Sequence, residues 1–174
     1  MDFKEWIIEE SSLNDLYQSA VDAFPNCRKR QHSIDEITIT RLEWVPYRGM
    51  RTLFIKGLAQ NTSNGHEYSP VVVFKGVQYH NEGEGNLVEI IDNNGVRHFF
   101  EKLSNQDTQI LTKCTCKDYE WRFRHKNFED HSHQGRDRTP YVALFNPGIA
   151  DIAPGLCKHI MKLAHVLSES GITG

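Results

Sequence analysis

The chain has 174 residues, a formal charge of −3 at pH 7 and an apolar fraction of 39%. That length suits one domain, or one domain with an extension. The small net charge excludes a global attraction to nucleic acid or to an anionic membrane, and apolar runs such as Val71-Val72-Val73-Phe74 are far too short to cross a bilayer. The apolar fraction lies below the usual globular range without reaching that of disorder. The start Met1-Asp2-Phe3-Lys4-Glu5 lacks the basic and apolar regions of a signal peptide. The expected compartment is therefore a reducing cytoplasm, where clustered cysteines read as metal ligands more readily than as disulfides.

The first stretch is expected to be helical, with Phe3, Trp6, Ile7 and Ile8 on a short apolar face. A second helix is predicted from Leu13 to Phe24, capped by Ser12, with Asp15 as the reciprocal cap and Pro25 as the stop. Leu13, Leu16, Tyr17, Ala20, Val21 and Phe24 recur at helical spacing. Such a helix either packs on the body or forms an arm that docks on a neighbouring subunit.

From Ile34 onward the apolar period changes to two. Strands are predicted over Glu36–Val45, Arg51–Ala59, Tyr68–Tyr79, Leu87–Ile91, Val96–Lys102 and Gln109–Thr112, about six in all and mostly antiparallel. Pro70 and Gly76 predict that the third begins at an edge and bends or bulges. Asn94-Gly95 between two such runs predicts a hairpin, and Glu82-Gly83-Glu84-Gly85 reads as a flexible acidic turn. A short helix is expected over Lys117–Asn127 and an exposed polar loop over Glu129–Thr139. A last helix follows over Lys158–Glu169, with Ile160, Leu163, Ala164 and Leu167 as its buried stripe.

Two ligand-x-ligand pairs punctuate this pattern: Cys114-Thr115-Cys116 and Cys157-Lys158-His159. Three thiolates and one imidazole make a closed tetrahedral Zn²⁺ site, with no position left for a water or substrate. Side chains at i and i+2 of an extended segment share a side, so Cys114 and Cys116 can reach one ion from a strand end. Inside a helix i and i+2 diverge, so Cys157 and His159 are expected in the turn made by Pro154-Gly155 just before the last helix. A metal held this way closes a long loop and adds stability to a modest core.

The two pairs resemble the SWIM zinc-finger family, whose pattern is Cys-x-Cys, a variable gap and Cys-x-His. The likeness extends to Asp118 and Tyr119 after the first pair and to Lys158-His159-Ile160 at the second. By that resemblance the zinc ligands are Cys114, Cys116, Cys157 and His159. The gap, Lys117 to Leu156, spans 40 residues and is long for the family. Long-gap versions with Asn-Pro and Pro-Gly-Leu-Cys-Lys-His, here Asn146-Pro147 and Pro154–His159, resemble structural proteins of tailed bacteriophages. Val72-Val73-Phe74-Lys75-Gly76-Val77-Gln78-Tyr79 fits the same form. That resemblance implies a virion component of neck, tail or baseplate, made in the host cytoplasm. Its partners are then other virion proteins in a symmetric multi-copy assembly.

Other motifs are weaker. Cys27 stands alone and reads as a spare thiol. His131-Ser132-His133 has the spacing of a second metal site, with His125 nearby, but solvated loop histidines are the simpler reading. Lys113–Arg138 holds seven Lys/Arg against five Asp/Glu. Its interleaved Tyr119, Trp121, Arg122, Phe123 and Arg124 suit either nucleic acid or an amphipathic helix packed beside the zinc; the small local charge favours the latter. No catalytic motif stands out.

The expectation is an α+β protein with a mostly antiparallel β body. It divides into an N-terminal helical arm over residues 1–33, the β body over 34–113 and a zinc-binding region with a long inserted loop over 114–174. The expected function is a non-enzymatic assembly protein, with a SWIM-type nucleic-acid-binding module as the alternative.

Overall fold

Alternating apolar and polar side chains become two antiparallel sheets in the computed structural model, which describes residues 11–24, 36–136 and 153–174. The first helix, α1 (Leu13–Ala23), starts at Ser12. The Ser12 hydroxyl accepts from the Asp15 amide at 3.2 Å, and the Asp15 carboxylate accepts from the Ser12 amide at 3.0 Å. This reciprocal cap satisfies two donors that a helix start leaves open. Leu13, Leu16 and Ala20 are buried in the core, so α1 packs on the body. The apolar stretch at Phe3–Ile8 lies outside the described residues, as does Cys27.

The larger sheet runs β1 (Ile37–Tyr47), β2 (Thr52–Asn61), β4 (Val71–Phe74) and β8 (Ile110–Lys113), with the short β3 (Glu67–Tyr68) paired to β2. Strand β2 alternates strictly and turns Leu53, Ile55, Gly57, Ala59 and Asn61 inward. Strand β4, paired with β2 and β8 at its two edges, is buried at every position, which fits its unbroken apolar run. The smaller sheet is ordered β5 (Tyr79–His80), β7 (Arg97–Phe100) and β6 (Val88–Ile91). Its β6–β7 hairpin turns at Asn94-Gly95 as expected, with Gly95 at φ 78°.

The stretch Tyr68–Tyr79 is therefore not one strand but parts of three, and the described residues hold eight strands rather than about six. Pro70 has no amide to donate, which interrupts the strand between β3 and β4, but its carbonyl stays in register with β2 and accepts from the Gly57 amide at 2.9 Å. Gly76, at φ 66°, then swings the chain from the first sheet into the second.

The remaining helices are α2 (Arg124–Glu129), entered through a π-helical turn over Tyr119–Phe123, and α3 (Lys158–Glu169). Helix α3 lies across β1 and β2. Ile160, Leu163 and Leu167 are fully buried beneath it, and Gly57 provides the space, since a Cβ there would sit 3.3 Å from Leu163 Cδ1. One core contains side chains from α1, both sheets and α3. Each fully buried Leu or Ile contributes about 1.5–3 kcal/mol. The fold is α+β and mostly antiparallel, with a helix near each end. No helix among the described residues is long and apolar enough to cross a membrane.

Candidate metal centre

The end of β8 and the start of α3 meet at Cys114, Cys116, Cys157 and His159. Their ligand atoms all lie within 4.8 Å of one another, and among the described residues they form the one such cluster. A tetrahedral site with metal–sulfur bonds of about 2.3 Å holds its sulfurs about 3.8 Å apart, so these donors stand near coordination spacing. All four are shut from solvent, at 1%, 3%, 0% and 1% exposure in chain order. The group could hold a metal ion, and the donor set fits zinc.

One expectation about local geometry needs correcting. Only Cys157 lies in the turn, as the extended N-cap of α3, whereas His159 is already inside the first helical turn. With extended backbone at Cys157, its sulfur still lies within 4.8 Å of the His159 ligand atom. A pair spaced i, i+2 can thus converge by straddling the cap, without both members leaving the helix.

The electrostatics suit a cation. Cys116 accepts hydrogen bonds from the thiols of Cys114 and Cys157, which hold it well below the usual thiol range. The Tyr119 amide adds a further donor at 3.3 Å. Burial pushes the Cys114 and Cys157 thiols upward. A lone thiolate is thus favoured, while two more in this dry space need a compensating positive charge. A bound dication would supply it.

Protein contacts orient His159. Its Nε2 lies 3.0 Å from the Asn61 amide oxygen, and its ring rests against Tyr68 with centroids 4.4 Å apart. Its Nδ1 is buried and has no hydrogen-bond partner in the protein. Leaving such an atom unsatisfied costs about 1–3 kcal/mol, a cost that a coordinated ion removes.

A polar web joins the two ligand segments. Asn127, fully buried, accepts from the Gly155 amide at 2.8 Å and donates to its carbonyl at 2.9 Å. The same amide group donates to the Thr112 hydroxyl at 3.1 Å, which passes its own proton to the Ser132 carbonyl at 3.0 Å. The Tyr119 hydroxyl donates to the Thr112 carbonyl at 2.8 Å, so His133 Nδ1, 2.7 Å away, is the donor to that hydroxyl. Burial raises the Tyr119 phenol, which keeps it a neutral donor. Gly155 itself admits no side chain: a Cβ would meet Phe123 Cε1 at 2.5 Å and Ala20 Cβ at 2.8 Å.

The reading of Glu129–Thr139 as an exposed loop is corrected at its centre. His131 is exposed at φ 61°, but Ser132 and His133 are buried, because Ser132 and Gln134 pair with the Thr112 backbone. The two histidines thus part company, and neither joins the metal cluster. The sequence reading singles out Tyr119 but neither Asn61 nor Asn127. Asn61 lies two residues beyond the predicted end of the Arg51–Ala59 strand, at the last inward position of β2.

Three cations between the ligand pairs are matched by acids. Arg122 pairs with Asp118 at 3.4 Å, Arg124 with Glu120 at 2.8 Å and Lys126 with Glu129 at 2.8 Å. Tyr119 and Phe123 face the core, whereas Trp121 and Phe128 are 39% and 45% exposed.

No protein-family profile, no curated protein and no solved structure matches this chain. The likeness to the SWIM finger rests on the two ligand pairs and their flanking residues.

Proposed function

We propose that this is a non-enzymatic assembly protein whose C-terminal region is locked by one structural Zn²⁺ on Cys114, Cys116, Cys157 and His159. The observation that carries the reading is the burial of all four donors at 3% exposure or less. A catalytic zinc keeps an open position for water or substrate, and a site sealed this way offers none. The ion would join β8 to α3 and fix the described residues 117–136 beside it as a surface. Trp121 and Phe128 stand exposed on that segment and supply apolar contact for a partner.

The finer reading is a component of a tailed-phage virion, in its neck, tail or baseplate. It is supported by the long-gap ligand pattern with Asn146-Pro147 and Pro154-Gly155-Leu156. A nucleic-acid-binding module ranks second, because Arg122, Arg124 and Lys126, which it needs, are each ion-paired to an acid.

Elemental analysis tests the core of the proposal. One zinc per purified chain is expected, with none retained by Cys114→Ala, which also fails to enter particles in an assembly assay. A zinc-free protein, or a Cys114→Ala chain that assembles normally, contradicts it.

A further inference from the structure

We infer that His159 takes the metal through Nδ1 and that Asn61 is the positioning residue that dictates this choice. The inference rests on the metal-centre reading above and specifies the chemistry of its one nitrogen ligand.

An imidazole can bind through either nitrogen, and the hydrogen bond made by one decides what the other can do. Here the Asn61 oxygen stands 3.0 Å from Nε2. A carbonyl-type oxygen only accepts, so Nε2 carries the proton and Nδ1 keeps its lone pair. Nδ1 is the buried, unpartnered nitrogen, on a residue whose ligand atom belongs to the cysteine cluster.

Asn61 is itself held by its backbone. Its amide donates to the His66 carbonyl at 3.0 Å, and its carbonyl accepts from the Gly65 amide at 2.8 Å. With Tyr68 against one ring face at 4.4 Å, the imidazole is fixed at an edge and a face, and the Nδ1 edge remains for the ion. An amide suits this place better than a carboxylate. Three thiolates around a dication already leave one net negative charge, and a second would enter a site that is closed to water.

The test uses the full-length zinc-loaded protein. Long-range ¹H–¹⁵N spectra of the histidine rings should show His159 metal-bound at Nδ1 and protonated at Nε2. Asn61→Ala should weaken zinc binding roughly 10–100-fold in competition with a chelator and speed solvent exchange of the Nε2 proton. Asn61→Asp, which keeps an acceptor oxygen, should keep Nδ1 coordination and slow exchange, but bind zinc less tightly than the wild type because of its added charge. Zinc bound through Nε2, read from the wild-type spectrum alone, overturns the inference, as does an Asn61→Ala protein with unchanged affinity and exchange. A wild-type protein that takes up no zinc overturns the metal centre and this inference together.

Discussion

The two sheets and the cysteine–histidine corner solve the same problem by different physics. Between the sheets, Leu53, Ile55, Val72, Phe74, Phe100 and Ile110 are fully buried against one another. Their stabilisation comes from apolar area removed from water, which is additive and tolerant of partial loss. In the corner, the buried side chains include Thr112, Asn127, Ser132, His133 and His159 beside three thiols. There each group depends on a named partner, so one deletion leaves its partners unsatisfied. Under the proposed function the corner is conditional structure, firm with its ion and weak without it, beside a body held by apolar burial.

That contrast can be broken first by truncation on each side. Leu53→Ala, at a fully buried site, should cost about 2–5 kcal/mol in denaturant unfolding and leave the zinc content of the folded protein unchanged. Asn127→Ala should cost about 2–3 kcal/mol, because the amide and carbonyl of Gly155 lose their buried partner. Unlike Leu53→Ala, it should also weaken zinc retention against a chelator. Equal effects of the two variants on zinc would erase the distinction between body and corner.

The smallest effect belongs to the far hairpin. Asp92 accepts from His98 Nε2 at 2.8 Å, with further hydrogen bonds from the Val96 and Asn94 amides. These hold its carboxyl below its ordinary value of 3.8, the His98 contact most of all. A depressed carboxyl stabilises the fold above its unfolded value, and the contribution is lost as pH falls through the lower folded value. Acid unfolding of Asp92→Asn should therefore show a shallower pH dependence below about 3.8, with zinc binding at neutral pH unaffected.

The body was legible because period-two patterning has a direct physical meaning. The strands at Ile37, Thr52, Val88, Arg97 and Ile110 begin within a residue or two of their expected starts. The Ser12–Asp15 cap and the span of α3 were equally readable, since caps and helical stripes are local. What was missed is non-local. Gly76 signals a bend, but nothing near it says that the chain passes there from one sheet to the other. Nothing around His133 shows that the Thr112 backbone will draw it inside. Four ligands could be found by spacing, but Asn61 and Asn127 act across the fold, the first on a histidine 98 positions away. Only assembled coordinates put those partners together.

Hydrogen exchange on the zinc-loaded protein, before and after chelation, tests the central claim most directly. The account predicts that chelation exposes the amides of Tyr119, Ser132 and Gly155 to fast exchange, while those of Ile55, Val72 and Val73 stay protected. Unchanged protection in the corner, or simultaneous loss in the corner and both sheets, would contradict a metal-locked corner on a self-sufficient body.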